Sequence, residues 1–83
     1  MSLEQFMQAV SSVERLTIIC TTAGTKPIDR TLCSKMYPKD VKTFFDGTHR
    51  SLEDYYIGAF GSTTDEKGSS YTIVLVREVK YND

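Results

Sequence analysis

YTIVLVREVKY, residues 71–81, is the stretch that decides the fold of this chain. Five of its eleven residues are β-branched, two are tyrosine, and neither glycine nor proline interrupts the run. This composition is typical of a β-strand. From Ile73 to Val76 both alternating faces are apolar, whereas charged residues begin at Arg77. We therefore predict a strand whose first half is central in a sheet and whose second half extends toward solvent.

Two further stretches have the composition of strands that could pair with residues 71–81. Residues 16–22 are rich in threonine and isoleucine and end at an Ala-Gly pair, and residues 55–60 form a shorter aromatic run. Residues 61–70 combine glycine, serine, threonine and charged residues. We predict that they form a long solvent-exposed loop, which joins the second and third strands as a hairpin.

The N-terminus has the pattern of a capped helix. Ser2 precedes Gln5 by three residues, which is the spacing of a capping box. The apolar residues that follow recur at spacings of three and four, as in Leu3, Phe6, Met7, Val10 and Val13. Such a stripe predicts a helix that covers one face of the sheet.

Residues 25–37 allow two interpretations. Pro27 can occupy the first turn of a helix in which apolar residues recur at a spacing of four, namely Ile28, Leu32 and Met36. The alternative is a strand over residues 30–37. The helix is the interpretation that we favour here.

Pro38 ends that first segment, because the residue before a proline is pushed toward extended geometry. It can also start a second helix, Pro38–Phe45, with Gly47 placed to end it. The middle of the chain is therefore expected to hold one or two short helices.

These elements predict a single α+β domain over residues 1–83. We expect a small, three-stranded, mostly antiparallel sheet with the N-terminal helix and the middle helices packed on one face. A chain of 83 residues can build only one small core. The second face and at least one edge of such a sheet stay uncovered.

The composition of the chain indicates the cellular compartment in which we expect it. The net charge is −1, with 40% hydrophobic and 25% charged residues, as in ordinary globular proteins. No basic start with an apolar leader is present, and the longest apolar run is far below the roughly 20 residues that cross a bilayer. Two cysteines allow one disulfide at most. We expect a reduced, cytoplasmic protein without a membrane partner.

Residues for catalysis or metal binding are few. A nucleophilic triad needs a nucleophile, a histidine and an acidic residue held in a defined geometry. The chain contains these residue types in Cys33, its single histidine His49 and Asp46, but the sequence indicates no such geometry. One histidine and two separated cysteines, Cys20 and Cys33, do not supply the four ligands of a zinc site. We expect no enzymatic activity, no metal and no cofactor.

Nucleic-acid binding is the alternative function that the sequence suggests. Residues 25–50 hold six basic and three acidic residues, while the last third of the chain is acidic. Lysine and arginine can follow a phosphate backbone, and tyrosine can stack on bases. The residues of this alternative site are Arg30, Lys35, Lys39, Lys42 and Arg50.

The favoured prediction is a small protein–protein interaction domain, a regulator or inhibitor of a larger macromolecular assembly. Aromatic residues make up 11% of the chain. Tyrosine is common at interfaces, where its ring is buried and its hydroxyl contacts water. The partner-binding candidates are Tyr37, Tyr55, Tyr56, Phe60, Tyr71 and Tyr81. We expect Tyr56, Phe60 and either Tyr71 or Tyr81 to line the uncovered face. Pairing through a free sheet edge would also produce a homodimer.

Overall fold

The computed structural model of the chain describes residues 1–21 and 29–78. Its elements in chain order are helix α1 (Leu3–Ala9), strands β1 (Leu16–Thr21) and β2 (Asp29–Met36), helix α2 (Pro38–Gly47), a short 3-10 helix (Leu52–Asp54), and strands β3 (Tyr55–Thr64) and β4 (Ser70–Glu78). The strands form one four-stranded sheet in the order β2-β1-β4-β3. The predicted α+β class is confirmed.

The sheet is mixed. Its two central strands, β1 and β4, are parallel, with Leu16 opposite Thr72 and Cys20 opposite Val76. Each edge strand pairs antiparallel with its central neighbour, β2 with β1 and β3 with β4. The chain thus folds as two successive units of one helix and two antiparallel strands, which meet along β1 and β4.

The prediction of three strands is wrong, because residues 29–36 form β2 and not a helix. Two register shifts interrupt the pairing of β1 with β2, and Leu32 and Cys33 are both buried although they are neighbours in sequence. The irregular register removes the simple alternation that identifies a strand, and it leaves a spacing that imitates a helix. The alternative strand over residues 30–37 was the better interpretation. Pro27 and Ile28 lie outside the described residues.

Helix α1 begins as predicted. The Ser2 hydroxyl accepts a hydrogen bond from the Gln5 amide (3.2 Å), and the Gln5 side chain accepts one from the Ser2 amide (3.0 Å). The helix ends at Ala9, so Val13 lies beyond it and is 78% exposed. The apolar stripe is therefore shorter than its sequence pattern.

Both helices pack on the same face of the sheet. The Phe6 ring of α1 lies 5.2 Å from the Phe60 ring of β3, and the Phe45 ring of α2 lies 5.6 Å from the Tyr55 ring at the start of the same strand. The residues buried between helices and sheet form one core, which includes Leu3, Leu16, Ile18, Val41, Val74 and Val76. Among the described helices, none is long and apolar enough to cross a membrane.

Helix α2 starts at Pro38 as predicted but runs past Phe45 and includes Gly47. Thr48 is its C-cap, and the next residue, His49, adopts a left-handed conformation with φ of 58°. The His49 amide donates to the Asp46 carbonyl (3.2 Å) and the Arg50 amide to the Phe45 carbonyl (2.9 Å). This pair of hydrogen bonds is the Schellman motif, in which glycine is the usual left-handed residue.

We expect His49→Gly to raise the free energy of unfolding by about 1 kcal/mol, because glycine adopts positive φ without the steric cost of a Cβ atom. Urea denaturation would measure the change. His49→Ala keeps the Cβ atom and should bring no such gain. A His49→Gly protein less stable than the parent would contradict the left-handed assignment.

Half of the predicted long loop over residues 61–70 is strand. Strand β3 continues to Thr64 and β4 begins at Ser70, so the turn is only residues 65–69. Asp65 holds this turn: one carboxylate oxygen accepts from the amides of Lys67 and Ser69, both at 2.9 Å. The other oxygen lies 3.5 Å from the Arg15 guanidinium just before β1.

Asp65 should make stability depend on pH. The Ser69 amide, helped by the Lys67 amide and the Arg15 guanidinium, lowers the pKa of the Asp65 carboxyl. A lowered pKa means that the carboxylate stabilises the fold above its unfolded pKa of about 4, and that this contribution is lost as the pH falls through the folded value.

Asp65→Asn keeps a hydrogen-bond acceptor and removes the charge. We expect the variant to be less stable than the parent at neutral pH, with the difference shrinking below about pH 4. Urea midpoints across this range would measure it. A difference that stays constant with pH would show that the charge of Asp65 is not involved.

Candidate partner-binding face

The sheet face opposite the helices carries the candidate site. Side chains of paired strand residues project to the same side, so the register identifies this face, which we call the open face. Its residues are Thr17, Ile19 and Thr21 on β1, Tyr71, Ile73, Leu75 and Arg77 on β4, Tyr56, Ala59, Gly61 and Thr63 on β3, and Asp29, Thr31 and Lys35 on β2.

An apolar row crosses the middle of the open face. Ile19 of β1 is opposite Leu75 of β4, which is opposite Ala59 of β3. Leu75 is 39% exposed although it lies in a central strand, and Ile19 and the nearby Ile73 are half-buried. No described helix covers these side chains, so apolar surface in the centre of the sheet faces water.

A depression lies beside this row. It has a volume of about 230 Å³ and is bordered by Thr21, Gly58, Ala59, Leu75 and Arg77. A Cβ atom added at Gly58 would lie 3.5 Å from the Leu75 carbonyl oxygen, so even a small side chain there would narrow the space. The small residues of β3 leave room for a side chain from another molecule.

The rim of the open face carries two basic residues, Lys35 and Arg77. The Lys35 ammonium lies 5.1 Å from the centre of the Tyr71 ring, a cation–π contact. The Lys35 amide donates to the Thr17 hydroxyl (3.0 Å), which ties this residue to β1. Arg77 is exposed at the other end of β4. Among the residues assigned to the face above, the carboxylate is that of Asp29, which accepts from the Thr21 hydroxyl (3.0 Å). Asp65 and Glu66 lie beside Lys35 at the margin of the face.

Only part of the predicted partner-binding set lies on this face. Tyr56 is 48% exposed there, and Tyr71 is half-buried beneath Lys35. Tyr55 is 3% exposed and belongs to the core. Tyr37 is 47% exposed at the start of α2. Tyr81 lies outside the described residues.

Phe60 lies on the opposite face from the one that we predicted. The alternation of β3 is broken between Ile57 and Ala59, where a bulge shifts the pairing with β4. Phe60 is therefore opposite Val74 and packs on Phe6, on the side of the helices. Its ring is still 62% exposed, because it lies at the margin of α1.

Sequence reasoning missed the apolar centre of the open face. Ile73 and Leu75 alternate with Tyr71 on one side of the predicted strand, so this signal was present in residues 71–81. We used the apolar character of both sides to predict a central position for the strand. The two helices cover only one side.

The basic residues of the alternative site do not share one surface. Lys35 lies on the open face, whereas Lys39 and Lys42 are exposed on α2, which packs on the other face. Arg30 is opposite Cys20, on the side of the helices, and Arg50 follows the end of α2. A phosphate backbone could contact all five basic residues only if they lay along one continuous surface, which they do not.

The residues considered for catalysis are in unlike environments. Cys33 is 6% exposed, and burial raises the pKa of its thiol, the opposite of what activates a nucleophile. His49 is exposed at the end of α2. Within residues 1–21 and 29–78, no three histidine, cysteine or acidic side chains converge as metal ligands would.

The neighbours Tyr55 and Tyr56 should respond very differently to truncation. Tyr55→Ala removes a buried ring that packs on Phe45 and should cost about 3 kcal/mol or more of folding stability. Tyr56→Ala removes a half-exposed ring and should cost less than about 1 kcal/mol. Thermal and urea denaturation would compare the two. Equal costs would contradict the register of β3 with β4.

Comparison with known proteins does not assign a family. No family model matches the chain, and neither the curated proteins nor the solved structures contain a significant match. The function is therefore argued from the open face alone.

Proposed function

We propose that this chain is a non-enzymatic protein-interaction domain that binds a partner protein through its open face. One observation carries the proposal: the row formed by Ile19, Leu75 and Ala59 crosses three strands with Leu75 39% exposed. Burying aliphatic surface of this kind contributes about 25 cal/mol per Å². A protein surface of matching shape would recover that free energy.

The chemistry of the face favours a protein over a nucleic acid. Aliphatic side chains such as Leu75 and Ile73 offer no hydrogen bonds to bases and no ring on which a base could stack. The Tyr71 ring already has the Lys35 ammonium over it. Apolar residues at the centre with tyrosine and arginine around them are the usual composition of a protein interface.

The same features describe the partner. It would present an apolar side chain that fits the depression between Ala59 and Arg77, with a volume of about 230 Å³. An acidic group beside that side chain would face Arg77, which borders the depression. A domain of this size acts by occupying a surface, which suits a regulator or inhibitor of a larger assembly.

The test places a charge in the apolar row. Leu75→Glu should weaken binding by about 2 kcal/mol or more, roughly 30-fold, because a carboxylate would be buried against an apolar partner. The matched control is Val13→Glu, the same type of change at a residue that is 78% exposed outside the sheet. Circular dichroism would first show that both variants are folded.

The partner would be isolated from an extract of the source cells with the purified chain, at low and high salt, and identified by mass spectrometry. Retention of one protein at high salt, lost with Leu75→Glu and kept with Val13→Glu, is the expected outcome. Nucleic acid that washes off with salt and is indifferent to Leu75→Glu would overturn the proposal. It would favour the basic residues Arg30, Lys35, Lys39, Lys42 and Arg50 instead.

A further inference from the structure

The outer edge of β3 is covered only at its beginning. The Met1 carbonyl accepts a hydrogen bond from the Ile57 amide (2.9 Å), and Ser2 forms a bridge with Tyr56. The bulge then follows, and β3 is the last strand of the sheet. Among the described residues, no strand pairs with the outer side of residues 59–64, which we call the free β3 edge.

The direction of the backbone groups on this edge follows from β4. The Thr72 amide donates to the Arg15 carbonyl (2.9 Å), so Thr72 directs its backbone groups toward β1 and away from β3. Val74 has the same direction, because the direction alternates along a strand. Their partners on β3 are Ser62 and Phe60. The backbone N–H and C=O groups of Phe60 and Ser62 therefore point outward and are free to pair.

The two edges of the sheet are protected very differently. Strand β2 carries Asp29, Arg30 and Lys35, has an irregular register, and includes a left-handed residue at Lys35 (φ 52°). Charges and bulges are the devices that prevent an edge from pairing with another chain. Strand β3 has ten residues with neither a charge nor a proline. Beyond its bulge, it lacks these devices.

An apolar cavity adjoins the free β3 edge on the side of the helices. Its volume is about 370 Å³, and its wall includes Met1, Phe6, Val10, Phe60 and Ser62. Phe60 is 62% exposed at the mouth of this cavity. An edge with outward hydrogen-bonding groups is thus combined with an apolar recess beside the same residues.

We infer that the free β3 edge pairs with the same edge of a second copy of this chain. The two strands run antiparallel about a two-fold axis at Gly61, so that Phe60 of each copy is opposite Ser62 of the other. Eight strands then form one continuous sheet. The ring of Phe60 from the second copy lies across the Ser62 side of the cavity.

A second copy is the occupant that the charges favour. Self-pairing places identical residues near one another, and a charged strand would repel itself. The β3 sequence has no charge to repel, and Gly61 has no side chain at the axis, where an added Cβ atom would meet nothing within 4 Å. Association stops at two copies, because both outer edges of the eight-stranded sheet are β2 strands, which are protected against further pairing. The inference does not depend on the partner of the open face.

The experiment measures the mass of the purified chain by sedimentation equilibrium over a range of concentrations up to millimolar. We expect a mass that rises from the 9.4 kDa of one chain to twice that value. Ser62→Lys should raise the dimer dissociation constant at least tenfold, because two ammonium groups would lie near the axis. The matched control is Ser34→Lys, the same change at an exposed serine of β2, which should leave the mass unchanged.

Two further measurements distinguish loss of the dimer from unfolding of the monomer. Ser62→Pro removes an outward amide that makes no hydrogen bond to β4, so the monomer should stay folded while the dimer is lost. Amide exchange of the parent chain should show the Phe60 and Ser62 amides becoming protected as concentration rises. A chain that stays monomeric at millimolar concentration would overturn the inference. So would a dimer that survives both Ser62 variants.

Leu75→Glu separates this dimer from the proposed function. It should leave the mass unchanged, since Leu75 lies on the open face and not on the β3 edge. A dimer that is lost in Leu75→Glu and kept in Ser62→Lys would place the self-association on the open face, and it would overturn the inference about β3.

Discussion

The parallel pairing of β1 with β4 is the contact on which the rest of the fold depends. Leu16 to Cys20 lie beside Thr72 to Val76 in continuous register. The inward side chains of this pair, Leu16, Ile18, Val74 and Val76, are at most 1% exposed. Parallel neighbours cannot be joined by a tight turn, so this contact is made between parts of the chain far apart in sequence. It unites the two helix-and-strand units around one core.

The open face follows from the size of the chain. Helix α1 has seven residues and α2 has ten, and both pack on the side of Val74 and Val76. Nothing else in the described ranges 1–21 and 29–78 covers Ile73 and Leu75 on the other side. Strand β4 is nevertheless apolar on both sides over this stretch. A partner protein would explain why leucine and isoleucine, and not polar residues, occupy the uncovered side.

Structural features that depend on residues close in the chain were predicted correctly from the sequence. The capping box of Ser2 and Gln5, the proline start of α2 and the strand character of residues 71–78 depend on residues close in the chain, and all three are present. Helix α2 ends at Gly47, but the left-handed residue that follows its C-cap is His49, which was not identified from the sequence because glycine is the usual residue in that conformation.

Features that depend on pairing were harder to predict. Residues 29–36 are a strand because β1 offers them an edge, and their irregular register conceals the alternation. Phe60 was placed on the wrong face because the bulge after Ile57 cannot be located from residue types alone. Which of Tyr55 and Tyr56 is buried likewise depends on the register with β4. No local sequence pattern predicts the parallel pairing of β1 with β4 at the centre of the sheet.

We propose that the open face is a protein-binding surface, and hydroxyl-radical footprinting would measure whether a partner covers it. The side-chain modification rates of the chain would be compared between the purified state and an extract of the source cells. We predict that Tyr56 and Leu75 become protected in the extract, while Tyr37 and Val13, exposed elsewhere, react as before. Unchanged rates at Tyr56 and Leu75, with protection at Lys39 and Lys42 instead, would contradict the claim.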